Sequence, residues 1–157
     1  MSSELEALYQ EVILDHNRNP RNFREMPDAT RHVSGRNPLC GDEVTVYVKL
    51  KNDVIEDVSF GGKGCAISKA SASLMTNAIK GKSLSEAREL YDRFRDLVTA
   101  SPTQTAGSTT DKSLGRLAVL GGVARFPARV KCATLAWHAL QNAITDGEAE
   151  VTTDDQL

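Results

Sequence analysis

Residues 43–60, EVTVYVKLKNDVIEDVSF, followed by 61–65, GGKGC, and 66–81, AISKASASLMTNAIKG, decide the fold class. Val44, Val46, Val48 and Leu50 fall on one side of an extended chain, and Thr45, Tyr47 and Lys49 on the other. That period of two is the mark of a half-buried strand. Asn52-Asp53 reads as a turn and Val54–Phe60 as the returning strand. After Gly61, Gly62 and Gly64 the period becomes helical: Ile67, Ala70, Leu74, Ala78 and Ile79 share a face, and Gly81 closes the helix.

Working outward, residues 3–18 read as an amphipathic helix with a Ser3/Glu6 capping box and a stripe of Leu5, Leu8, Tyr9, Val12 and Ile13, stopped by Pro20. Residues 29–35 read as a third strand. A helix from Ser83, with Glu86 completing a capping box, carries Leu84, Ala87, Leu90, Tyr91, Phe94, Leu97 and Val98. Residues 100–113 read as a polar loop, 113–121 as a short helix with Leu114, Leu117 and Leu120, and 128–144 as the last helix. Strands followed by a run of helices predict an α+β domain: a small antiparallel three-stranded sheet with helices packed on one face.

The chain has 157 residues, enough for one domain with its own core. From Thr145 to Leu157 there are five acids and no Lys or Arg, while residues 1–144 carry 19 basic against 16 acidic residues. This divides the chain into a mildly basic domain over 1–144 and an acidic tail over 145–157, expected to be disordered. The formal charge of −2 argues against a nucleic-acid binder. No segment approaches the roughly 18 apolar residues of a membrane span. The start, MSSELEALYQEVILDH, lacks the basic and apolar regions of a secretory leader. The expected compartment is the cytoplasm, where thiols stay reduced.

The three cysteines cannot form a closed disulfide framework. Each lies at a structural boundary. Cys40 is in Asn37-Pro38-Leu39-Cys40-Gly41-Asp42, Cys65 follows the glycines at the start of a helix, and Cys132 is near the start of the last helix. For any one of them a buried core thiol is the competing reading. Cys40-Gly41-Asp42 offers a thiolate and a carboxylate to one ion, with Gly41 letting the backbone turn. Cys65 at a helix N-terminus has its thiolate favoured by the dipole. Three thiolates and a carboxylate around Zn²⁺ leave negative charge in excess, and Lys63, Arg129 and Lys131 are the nearby bases, with solvated surface as their competing reading. One carboxylate in place of a fourth thiolate suggests a site able to exchange a ligand. His138 lies about 120° around the helix from Cys132. His16 suits a helix C-terminus and His32 sits in the possible third strand; none is a strong ligand candidate. A phosphate loop, a dinucleotide fingerprint and a G-x-S-x-G elbow are all missing.

Four blocks in this order, LYQEVILDHNRNPRNF (8–23), NPLCGD (37–42), FGGKGCAISKASASLM (60–75) and FPARVKCATLAWHAL (126–140), resemble the SufU-type proteins of iron–sulfur cluster assembly, within the wider IscU/NifU N-terminal family. The resemblance spans about residues 5–144. It implies a metal site of Cys40, Asp42, Cys65 and Cys132 holding Zn²⁺, or alternatively a transient Fe–S cluster. Lys131, where IscU-type scaffolds have histidine, and the long Cys65–Cys132 segment point to the SufU branch. The implied activity is zinc-dependent sulfurtransfer: Cys40 accepts persulfide sulfur from a SufS-type cysteine desulfurase, supported by Arg129, and passes it to downstream Fe–S assembly machinery. The chain is expected to act as a monomer. The alternatives are an IscU-like scaffold for nascent [2Fe–2S] clusters and a structural zinc-binding interaction module.

Overall fold

The computed structural model describes residues 3–38, 41–99, 112–145 and 150–152. Its elements are α1 (Ser3–Arg18), β1 (Arg31–Asn37), β2 (Asp42–Lys51), β3 (Val54–Lys63), α2 (Ala66–Ile79), α3 (Leu84–Thr99), a 3₁₀ segment (Lys112–Arg125), α4 (Pro127–Ile144) and β4 (Glu150–Thr152). The sheet runs β3-β2-β1-β4. Its first three strands are antiparallel, as the alternating pattern predicts, with Val46 opposite both Val33 and Phe60. The β2–β3 turn places Asn52 and Asp53 at φ 54° and 64°. Two successive positive φ values make a turn whose twist matches that of the flanking strands.

Val44, Val46 and Val48 are buried, whereas Thr45, Tyr47 and Lys49 on the opposite face are half-buried. The buried face receives α4 across β1 and β2 and α2 across β3. Trp137 of α4 is the largest fully buried side chain, stacked on Phe94 of α3 at 4.8 Å between ring centres. Most of the remaining core is aliphatic, in keeping with the low aromatic content. Arg31 of β1 donates to the carbonyls of Asn142 and Ala143 at 3.2 and 3.4 Å, tying the C-terminal end of α4 to the sheet.

The Ser83/Glu86 capping box forms in both directions: Ser83 N–H donates to Glu86 Oε1 at 3.0 Å and Glu86 N–H to Ser83 Oγ at 3.1 Å. The side chains of residues 3–9, and with them the Ser3/Glu6 pattern, lie outside the described residues, as does most of the 100–113 loop. Two expectations change. The short helix expected at 113–121 is a longer 3₁₀ segment broken at Gly115, which has φ 54° and ψ −130°. Glycines at 115, 121 and 122 disfavour regular α-helix there. The segment 145–157 is not wholly irregular, because Glu150–Thr152 pairs parallel with β1, Val151 opposite Gly35. Two β-branched residues suit a strand, and the pairing covers an otherwise open sheet edge. The rest of the tail beyond Thr145 lies outside the described residues.

Candidate metal centre

Three elements converge at one end of the sheet. Asp42 opens β2, Cys65 is the N-cap of α2 just after β3, and Cys132 lies in the second turn of α4. One carboxylate oxygen and the two sulfurs lie within 4.8 Å of one another. Donors bound to one Zn²⁺ at about 2.0–2.3 Å sit roughly 3–4 Å apart, so only a small contraction separates this set from a chelating one. The donor chemistry fits as well, since thiolate and carboxylate are both zinc ligands. Among the described residues, Asp42, Cys65 and Cys132 supply the donors, and a fourth would complete the tetrahedral set. Cys40 lies outside the described residues. On either side of it, Gly41 N–H donates to the Asn37 carbonyl at 2.8 Å.

Local sequence explains the convergence. Gly41 has φ +74°, a left-handed conformation that L side chains rarely adopt, and it turns the chain into β2 so that Asp42 points inward and is 2% exposed. Gly64 gives close approach on the other side: a Cβ there would lie 3.1 Å from both Asp42 Oδ1 and Ser68 Oγ. Asp42 Oδ1 accepts the Cys65 N–H at 2.8 Å, and the Cys65 thiol lies 3.8 Å from Asp42 Oδ2. Cys65 also accepts the Ser68 N–H at 3.5 Å, taking the place a serine or aspartate oxygen fills in an ordinary cap.

The two sulfurs differ in access, Cys65 being exposed and Cys132 buried. The Cys65 thiol is drawn down from its ordinary value of 9.0 to about 7. The hydrogen bond from Cys132 is the main cause. Burial opposes it, the Ser68 and Ile67 N–H groups add to it, and the Asp42 charge works against it. The shift favours the Cys65 thiolate even with no metal.

The remaining candidates are dispersed. Arg129 is at the surface, its guanidinium 5.0 Å above the ring of Phe126, which is itself half exposed. Lys63 is exposed at the end of β3, and Lys131 is half-buried on α4. His16 bonds Ser73 Oγ at 2.7 Å, His138 meets the Tyr91 hydroxyl at 3.1 Å, and His32 packs on Tyr47, all away from the Asp42–Cys65–Cys132 group. Sequence reading missed Asn37, which is fully buried and donates through Nδ2 to Cys132 Sγ at 3.5 Å. The residue stood in the NPLCGD block, but no local pattern announces a partner 95 positions away.

The description "NifU-like N-terminal domain" matches residues 8–153, nearly the whole chain. The chain belongs to this family. Among its NifU-like relatives, the zinc-dependent sulfurtransferase SufU of Bacillus subtilis (strain 168) is 43% identical over 149 residues, covering 94% of this chain and 96% of that protein. The iron–sulfur cluster assembly scaffold protein IscU of Streptococcus pyogenes serotype M1 is 42% identical over 156 residues, covering 99% and 94%. In three dimensions the NifU-like fold superposes on an iron–sulfur cluster assembly scaffold protein for the SUF system from Fervidobacterium islandicum AW-1 with a TM-score of 0.76 at 34% identity, over 88% of this chain and 98% of that one. The sequence resemblance to SufU- and IscU-type proteins is thereby borne out at the level of family and fold.

Proposed function

We propose that this chain is a zinc-binding sulfur acceptor that takes persulfide sulfur from a cysteine desulfurase for iron–sulfur cluster assembly. The observation that carries the reading is the convergence of Asp42, Cys65 and Cys132, donors drawn from three elements, in a chain 43% identical to a zinc-dependent sulfurtransferase. Cys40 is proposed as the fourth ligand and as the thiol that receives sulfur. When bound, Zn²⁺ keeps its ligand thiols deprotonated near neutral pH and lowers their exposure to oxidants.

The chemistry required of the chain's own residues is thiol exchange. The Cys40 thiolate attacks the outer sulfur of the partner's cysteine persulfide. The partner's S–S bond breaks as a new S–S bond forms on Cys40, the partner cysteine leaves as thiolate, and any proton on the outer sulfur travels with it. No external oxidant or reductant is needed. Asp42 holds the Cys65 backbone through its Oδ1 contact and so keeps the start of α2 against the strand that follows Cys40. Arg129, at the surface three residues before Cys132, is assigned a supporting role toward the partner or the anionic sulfur.

The partner is proposed to be a SufS-type desulfurase, with the chain acting as a cytoplasmic monomer that feeds downstream assembly machinery. Among the described residues, no helix is long and apolar enough to cross a membrane. The test is desulfurase turnover with the zinc-loaded chain. The parent chain is expected to stimulate alanine release strongly, and Cys40→Ala to abolish that stimulation at unchanged zinc-independent folding. Full stimulation by Cys40→Ala would remove Cys40 from its role.

A second reading is favoured by the relatives named as IscU scaffolds: the same donors would hold a nascent [2Fe–2S] cluster as cargo. It predicts that anaerobic iron and sulfide yield a coloured cluster that moves to an apo-acceptor. Failure of that transfer, with desulfurase stimulation intact, would leave the sulfur-acceptor reading alone.

A further inference from the structure

We infer that Asn37 is a positioning residue that fixes Cys132 as the anchoring thiolate of the metal centre, so that ligand exchange falls to the other thiols. The inference rests on the reading that Asp42, Cys65 and Cys132 hold zinc. Asn37 is the last residue of β1 and is wholly buried. It acts in three directions. Its side-chain amide donates to Cys132 Sγ at 3.5 Å. Its carbonyl accepts the Gly41 N–H at 2.8 Å. Across the ladder it is paired with Asp42. A single residue therefore ties one proposed ligand on α4 to the strand pair that carries another.

Three thiolates and a carboxylate around a divalent ion leave excess negative charge, and that charge is costliest on the sulfur with least access to water. Of the two described sulfurs, Cys132 is that one. An amide N–H aimed at it offsets the charge and is best satisfied when the sulfur is an anion, because a thiolate accepts more strongly than a thiol. A rigid, buried donor also holds the sulfur in place while another ligand departs. Cys65 differs: it is exposed, and it accepts the Ser68 backbone N–H of the helix it caps.

The test uses the full chain loaded with one equivalent of zinc, with Asn37→Ala and Asn37→Asp beside the parent. Asn37→Asp keeps the shape and replaces the donor with an acceptor, and it carries the measurement by itself if Asn37→Ala does not fold. Zinc release to a chromogenic chelator is expected to quicken about tenfold in Asn37→Ala, the scale of one hydrogen bond to a charged group, and by more in Asn37→Asp. In cobalt-substituted protein the thiolate-to-metal absorption is expected to move to longer wavelength in both variants, a change that a purely structural role would not produce. Parental release rates and unmoved bands in folded variants would overturn the role of Asn37. A parent chain that takes up no zinc or cobalt would instead overturn the ligand reading, and this inference with it.

Discussion

Cys65 and Cys132 contribute the same atom to the same centre from opposite kinds of surroundings. Cys65 caps a helix at the surface, after glycines whose missing side chains let the backbone pack against Asp42 and β2. Cys132 sits on the inner face of α4, in a helix whose next buried residues include Trp137 and His138. The first region is built for access and the second for retention. A centre with the proposed role, keeping its metal while one thiol reacts, would need both, and the difference lies in the elements rather than in the residue type.

The comparison breaks first at the metal. Replacing Cys132 or Asp42 with alanine is expected to abolish stoichiometric zinc uptake, a larger effect than the roughly 10–100-fold loss that follows removal of a ligand's hydrogen-bonding partner. Metal analysis after dialysis reads this directly, and one retained equivalent in either variant would remove that residue from the ligand set. Next comes access. In metal-free folded protein, iodoacetamide should label Cys65 roughly a thousandfold faster than Cys132, whose exposure requires local opening worth several kcal/mol. Equal rates by peptide mapping would erase the distinction.

The buried side of α4 carries a pH signature of its own. Burial pushes the His138 imidazole down from its ordinary 6.5 to about 4, with the Arg95 charge adding to the effect. The unfolded chain binds a proton there between those values and the folded chain does not. Stability from neutral His138 is therefore fully present above about pH 6.5 and is lost as pH falls toward 4, a loss of about 3 kcal/mol. Urea unfolding across that range checks this, and His138→Gln should flatten the profile. An unchanged slope in that variant would assign the loss to other groups.

The smallest effect sharpens the exposed side. Because the Cys65 sulfur caps α2, Cys65→Ala should cost about 1 kcal/mol in metal-free protein, while Cys65→Ser, which restores a capping oxygen, should cost less. Both remove the proposed zinc ligand, so comparing them separates the cap from the metal. Equal destabilisation in the two would deny the cap.

Much of this was legible in the sequence because it is local. The alternation over residues 44–50, the Asn52-Asp53 turn and the Ser83/Glu86 box depend on neighbours within a few positions, and each appears as read. What was not legible depends on distant partners. Nothing near Glu150–Thr152 shows that β1 offers an open edge. Nothing near Asn37 shows that Cys132 will lie beside it. The 3₁₀ winding of 112–125 reflects glycines whose cost to a helix the apolar spacing of Leu114, Leu117 and Leu120 concealed. The ligand candidates could be proposed from the sequence because thiols at element boundaries are chemically conspicuous, but their difference in burial emerged only when α4 was laid on the sheet.

The proposed function requires a zinc-bearing thiol site on this chain to accept sulfur. Native mass spectrometry of the purified chain, before and after mixing with a persulfidated cysteine desulfurase, tests it most directly. One bound zinc is expected at the start, and afterwards the added mass of one sulfur atom on the chain, located at Cys40 by peptide mapping. A zinc-loaded chain that gains no sulfur while the desulfurase keeps its persulfide would contradict it.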